Sequence, residues 1–230
     1  MKYYELTCTT YLLKDIYFDD LNESLGRYIN KSMILDDGLK KIHGSKGYKY
    51  YVYDNLFPRE SDKVYKKGRV YIFVIRSIDK SLLGKMARVL PLVKDSSLKV
   101  ISLELKEFVP NHISQLYTVT PAILTVDNRF WVKGDSIELL ERRIQDNLCK
   151  KYHDYYNGRL EVEGNFIRGI EIKNDKTIGI NYKNIRLMGN KFKILVKEDE
   201  TSQKLATMAL ATGLLEKNSS NGMGFCISKW

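Results

Sequence analysis

One arrangement of segments, written twice, constrains this chain more than any single motif. KYYELTCTTYLL (2–13) is rich in Tyr, Thr and Leu and predicts a strand. Asp20 with Glu23 gives a capping signal, and Leu21, Leu25, Tyr28 and Ile29 follow at helical spacing, predicting a helix to about Leu35. After a loop come the strands YKYYVY (48–53) and RVYIFVIR (69–76). Asp79 then predicts the cap of a helix carrying Ile78, Leu82, Met86, Val89 and Leu90, and LKVISLELKEF (98–108) predicts a last strand. The order is β-α-β-β-α-β.

After Pro110 the order restarts. LYTVTPAILTV (116–126) predicts a strand interrupted at Pro121, and Asp135 with Glu138 predicts the start of a helix carrying Ile137, Leu140, Ile144 and Leu148. The segments 159–173 and 177–197 are β-rich and long enough to bend or to hold a hairpin. ETSQKLATMALATG (200–213) predicts a helix, and GFCISKW (224–230) a final strand. The reading is an α+β chain of two tandem ferredoxin-like domains, 1–110 and 111–230, each with the topology of an RNA-recognition motif. No residue-level repeat links the halves, so one larger α+β domain stays open as an alternative.

Composition narrows the partner. Lys+Arg number 38 against 28 Asp+Glu, a net charge of +10, which favours a polyanion such as nucleic acid or an acidic surface. Cys8, Cys149 and Cys226 are far apart with no CxxC, and read as apolar fillers in a reducing compartment. No run suits a membrane span, and MKYYELTCTTYLL does not read as a signal peptide, so a soluble, cytoplasmic protein is expected. The three histidines are dispersed, so neither a metal site nor any other cofactor is expected.

Two stretches carry a resemblance to a known family. The first is GLLEKNSSNGMGFC (213–226), where Gly213, Leu214, Glu216, Lys217, Asn218, Ser219, Gly222, Met223, Gly224 and Phe225 fit a Gly-rich loop leading into a last strand. The second is His43, Lys46, Gly47, Tyr48 and Lys49, continued by Leu56–Pro58, Lys63–Gly68 and Ile75–Ser77. Together they resemble the CRISPR-associated endoribonucleases of the RAMP superfamily, which process precursor CRISPR RNA. One departure stands out: Leu215 occupies the place of a usual glycine, so the first half of the loop is expected to follow a different backbone.

The resemblance implies a metal-independent cleavage by a His, a helix Tyr and a Lys, here His43, Tyr28 and Lys49, giving 2′,3′-cyclic phosphate and 5′-hydroxyl ends. A histidine can act as base or acid near neutral pH, and the sequence leaves both open. By spacing alone Tyr28 shares the stripe of Leu21 and Leu25 and reads as a core residue, and Lys49 as a solvated one. His112 and His153 read as structural or incidental. Lys46, Gly213, Lys217, Asn218, Ser219, Gly222 and Gly224 are the expected RNA-backbone contacts. Arg142 and Arg143, with Lys150 and Lys151, read as a solvated basic helix face that could also track an RNA stem, with Arg142 and Arg143 counted among the expected RNA contacts.

The alternatives are a non-catalytic RAMP subunit holding guide RNA in an effector complex and, further off, a protein for a small anionic ligand. Other CRISPR effector subunits and a homodimer are left open as partners.

Overall fold

The structure, a computed structural model, describes residues 1–183 and 185–229. Its first half runs β1 (Tyr3–Leu12), β2 (Ile16–Tyr17), α1 (Phe18–Met33), α2 (Asp37–Gly44), β3 (Tyr51–Tyr53), β4 (Val64–Tyr65), β5 (Val70–Ser77), α3 (Lys80–Val89) and β6 (Leu98–Phe108). Its second half runs β7 (Gln115–Thr118), β8 (Thr125–Val126), β9 (Arg129–Phe130), α4 (Ile137–Tyr156), β10 (Ile167–Ile172), β11 (Ile178–Tyr182), β12 (Ile185–Gly189), β13 (Phe192–Val196), α5 (Glu200–Thr212), α6 (Asn218–Asn221) and β14 (Cys226–Lys229).

The first sheet is ordered β3-β5-β1-β6 and the second β10-β13-β7-β14, with every pairing antiparallel. Counting only these strands in chain order, both sheets read second-third-first-fourth, the ferredoxin-like order. The doubled pattern is therefore two like-built lobes. The long segment 177–197 divides into a β11–β12 hairpin plus β13, and the hairpin stands outside the second sheet. Of the final strand expected over 224–230, Trp230 lies outside the described residues, as does Asn184 of the hairpin segment.

Periodicity explains the cores. Leu6, Cys8 and Leu12 of β1 alternate inward, onto a cluster that includes Leu21, Leu25 and Ile29 of α1. Asp79 caps α3 by accepting from the Leu82 N–H at 3.1 Å. Two expected caps differ. Helix α1 starts at Phe18, whose N–H donates to the Lys63 carbonyl at 2.9 Å, so Asp20 lies in the first turn, where its charge suits the helix dipole. Helix α4 is capped by Ser136, which accepts from the Leu139 N–H at 3.1 Å, because Asp135 is taken by Arg129 through contacts of 2.7 and 2.9 Å.

Ile78 leaves the α3 stripe and joins the second lobe's core, as does Tyr3. Helix α5 has no exposed side along Leu205–Thr212: it packs on α4 and also against β1, β3 and β5 of the first lobe. Among the described residues no helix is long and apolar enough to cross a membrane.

Candidate functional site

His43 does not lie in a loop. It is in the last turn of α2, an eight-residue helix whose start is capped by Asp36, accepting from the Leu39 N–H at 2.9 Å. Leu39 is buried and Ile42 packs beside it on the core, so the opposite face, with Lys40 and Lys41, meets solvent. The end of the helix is closed by Lys49. Its Nζ donates to the carbonyls of Ile42 at 2.7 Å and Ser45 at 3.3 Å, and also to that of His43. A cation on terminal helix carbonyls is favoured by their uncompensated dipoles. Lys49 is thus a positioning group for the turn that carries His43, and not the solvated lysine that strand alternation suggested.

The imidazole is half-buried, and its pKa falls below the ordinary 6.5. Burial is the largest cause; the positive charges of Lys49 and Lys183 add to it. Burial also lowers the Lys49 ammonium. Lys183 sits at the tip of the β11–β12 hairpin, with φ 44°. The hairpin itself packs on α1 of the first lobe, and from its tip the Lys183 charge acts on His43 across the two lobes.

Tyr28 is not part of that group. It is wholly buried, its hydroxyl donating to the Leu90 carbonyl at 2.9 Å and accepting from the Val100 N–H at 3.1 Å. Burial raises its pKa further above 10.0. The helical stripe shared with Leu21 and Leu25 decides its position: Tyr28 fastens α1 to β6 and the segment after α3. Of the trio expected from the resemblance, the structure brings His43 and Lys49 together in one turn and commits Tyr28 to the core.

The Gly-rich loop is built as a clasp between the lobes. Gly222 (φ 67°) lies so close to β3 that a Cβ would stand 2.7 Å from the Tyr53 carbonyl oxygen. Gly224 (φ 69°) leaves no more room, since its Cβ would meet the Leu214 carbonyl oxygen at 2.2 Å. The glycines thus serve backbone packing. Asn218 ties the loop's two limbs, its Nδ2 donating to the carbonyls of Leu214 at 2.9 Å and Met223 at 2.8 Å. Its Oδ1 accepts from the Lys151 Nζ at 2.8 Å, and Lys151 also donates to the Gly213 carbonyl at 2.7 Å.

Lys151 is therefore no part of a solvated basic face: it is fully buried, and burial pushes its pKa down to about 7. Asn218 is likewise committed to the loop, while Lys217 is exposed and Ser219 half-buried. Leu215 takes the left-handed backbone after all, with φ 59°, and its side chain is buried in the second core. Burying a leucine contributes about 1.5–3 kcal/mol, against about 1–2 kcal/mol for a side chain in that backbone region. Burial wins, which is how the loop keeps its course without the glycine.

A cavity of about 470 Å³ opens between α4, the Gly-rich loop and the segment before β3. It brings together Lys46, Lys49, Lys217, Asn218 and Ser219 from the expected set, with Tyr48 and Asn147. The Asn147 Oδ1 is buried without a hydrogen-bond partner among the described residues. An adjoining hollow of about 240 Å³ shares Tyr48 and Asn147 and adds Arg143 and Lys150. Arg142 is exposed on α4. His153 is structural, accepting from the Leu160 N–H at 2.9 Å, and His112 is half-buried in the segment joining β6 to β7.

Sequence reading missed Lys183, Asn147 and the burial of Lys151. The last had a signal: Ile144, Leu148 and Lys151 follow one another at helical spacing, so Lys151 continues the apolar stripe.

No family model matches the chain. A curated protein, the CRISPR-associated endoribonuclease Cas6 2 of Methanocaldococcus jannaschii, is 23% identical, the match covering 92% of this chain and 94% of that protein. A solved structure described as an RAMP protein binding different RNA substrates superposes with TM-score 0.75 at 15% identity, over 99% of this chain and 100% of its own. The CRISPR associated protein Cas6 gives 0.70 at 16% identity, over 99% and 100%. The chain has the fold of the Cas6 and RAMP proteins. The resemblance first read in the Gly-rich loop and the His43 segment extends over 92% of the chain in sequence and 99% in fold.

Proposed function

We propose that this chain is an endoribonuclease that cleaves repeat sequences in precursor CRISPR RNA, with His43 as the group that moves the proton. The observation that carries the reading is the setting of His43 in the last turn of α2, a turn held by Lys49 through its terminal carbonyls, with the Lys183 charge of the other lobe acting on the imidazole. A pKa below 6.5 leaves the imidazole neutral near pH 7, which suits a base.

In the reaction the 2′-hydroxyl attacks the neighbouring phosphorus while its proton passes to His43. The bond from phosphorus to the 5′-oxygen breaks, and that oxygen takes up a proton. The products are a 2′,3′-cyclic phosphate and a 5′-hydroxyl. Positive charge from Lys183 and the Lys49 turn faces the extra negative charge of the phosphorane. Proton transfer of this kind is typically worth about 10²–10⁴-fold in rate. Nothing in the scheme calls on a metal ion.

The test is single-turnover cleavage of repeat RNAs in excess EDTA, beside the same RNAs with one 2′-deoxy at the cut. Retained cleavage with EDTA, none of the deoxy substrate, and cyclic phosphate ends are expected. His43→Ala should lose at least about 10²-fold in rate and keep RNA affinity within a few-fold. The wild-type rate should rise with pH up to a pKa below 6.5 and then level, and Lys183→Ala should move that limb toward 6.5. Cleavage by His43→Ala at the wild-type rate would overturn the assignment.

A second reading, a non-catalytic RAMP subunit that holds guide RNA, draws on the burial of Tyr28, which leaves His43 without its expected partner. Salt-sensitive binding of repeat RNA with no cleavage at any pH would select it.

A further inference from the structure

A second hollow, of about 170 Å³, lies on the seam between the lobes, away from His43. One wall is the first turn of α1, with Phe18 and Asn22; the other is β11 of the hairpin, with Ile178 and Ile180; Asn55 and Met223 also line it. Asn22 and Asn55 are only 6% and 8% exposed as whole residues. The Asn22 Nδ2 donates to the Asn221 backbone carbonyl and to the Asn55 Oδ1, both at 3.0 Å.

That network fixes both amides. Only a nitrogen of Asn22 can face a backbone carbonyl, so only an oxygen of Asn55 can face that nitrogen. What remains is the Asn22 Oδ1, an acceptor, and the Asn55 Nδ2, a donor. Neither has a hydrogen-bond partner among the described residues, and both belong to side chains lining the hollow. Neither atom is among the buried polar atoms left without a partner, so both open to solvent in the hollow, where a ligand can exchange for water. Phe18 stays 37% exposed at the slot, and Arg59 and Lys191 outnumber the single carboxylate, Asp19, among the lining residues.

We infer that this slot takes one unstacked nucleobase of the RNA, held between Phe18 and the hairpin, with its hydrogen-bonding edge on Asn22 and Asn55. A narrow slot with apolar walls excludes a base pair and suits one planar ring. An adjacent acceptor and donor match the edge of a base, and the two cations suit the phosphates on either side. The hairpin relates slot and cleavage centre. From Ile178 to Lys183 the strand advances by about 17 Å, so the bound base belongs to a nucleotide a few positions from the scissile linkage. The inference rests on RNA being the substrate, and it adds a specificity-determining site to that reading.

The test is equilibrium binding by the full-length protein of RNA decamers of A, C, G or U, and of a decamer of the same ribose-phosphate backbone without bases. Wild type should prefer at least one homopolymer over the abasic chain by tenfold or more. Phe18→Ala and Asn55→Asp should each remove at least fivefold of that preference while changing affinity for the abasic chain less than twofold. Retention of the whole preference by both variants would overturn the slot. Photo-crosslinking of wild type with a 4-thiouridine RNA covers the case in which the variants misfold. Adducts on the peptides carrying Phe18 or Met223 support the slot, and adducts confined to other peptides reject it. Failure of wild type to bind any of the RNAs, abasic chain included, would instead bring down the reading on which the slot rests.

Discussion

The two lobes share a strand order and differ in how they use it. The first builds its sheet around strands of 10, 8 and 11 residues, and α1 buries a single stripe against it. The second has sheet strands of four to six residues, adds the β11–β12 hairpin, and buries the Leu205–Thr212 part of α5 on every side. Regular pairing holds the first lobe. The second depends more on close approaches of loop backbone, at Gly222, Gly224 and the Lys151–Asn218 contact. Substitutions in the second lobe's loop should therefore cost more than spacing or propensity suggests, and matched changes in the first lobe less.

Gly224→Val is the sharpest way to break that comparison. The new side chain would meet the Leu214 carbonyl within a left-handed backbone, and a loss of about 4 kcal/mol or more is expected in denaturant unfolding. Gly47→Ala, where an added Cβ meets nothing within 4 Å, should stay within about 0.5 kcal/mol. Equal losses would remove the distinction.

Lys151→Met comes next. It strips the Gly213 carbonyl and the Asn218 Oδ1 of a buried donor, at about 1–3 kcal/mol each. It also changes the pH dependence of stability. With a folded pKa of about 7 against 10.5, the folded state binds fewer protons between those values, so this group's contribution to wild-type stability should rise with pH across that window. Unfolding curves at pH 7 and pH 9 should show wild type gaining on Lys151→Met; a constant difference would mean that the ammonium is not desolvated.

In the first lobe Tyr28→Phe removes one hydroxyl with two partners and should cost about 1–3 kcal/mol, with the cleavage rate at saturating RNA unchanged. A rate loss of a hundredfold with stability intact would return Tyr28 to the catalytic group. The smallest effect belongs to Lys217→Gly. Lys217 is exposed at φ 61°, so glycine should stabilise by up to about 1 kcal/mol. The same change should weaken RNA binding and lower the salt slope by about one.

Much of this fold was legible because its signals are periodic. The alternation of β1 and the stripes of α1 and α3 have one physical reading each, and their repetition across Pro110 gave the doubled order. The site was legible only in part. Helix α2 escaped because DGLKKIHG places glycine at its second and eighth positions, where composition suggests a loop. Tyr28 shows the limit of carrying a role by position: fifteen residues before His43 it fits the family's spacing, yet its own stripe turns it inward. The charge of Lys183 acts on His43 from 140 positions away in the chain, and no local pattern encodes that. The Asn22–Asn55 pair was hidden in the same way, since isolated asparagines carry no periodicity.

The all-round burial of α5 along Leu205–Thr212 has a consequence for the chain as a whole. Tyr3 and Ile78 pack into the second core, and α5 lies against the first sheet, so neither half closes its own interior. A protease that nicked the segment between Phe108 and Gln115 should leave two fragments that co-migrate and melt in one transition, and either fragment expressed by itself should aggregate. A nucleic acid entering the seam would meet a fixed mould and would have to bend to fit it.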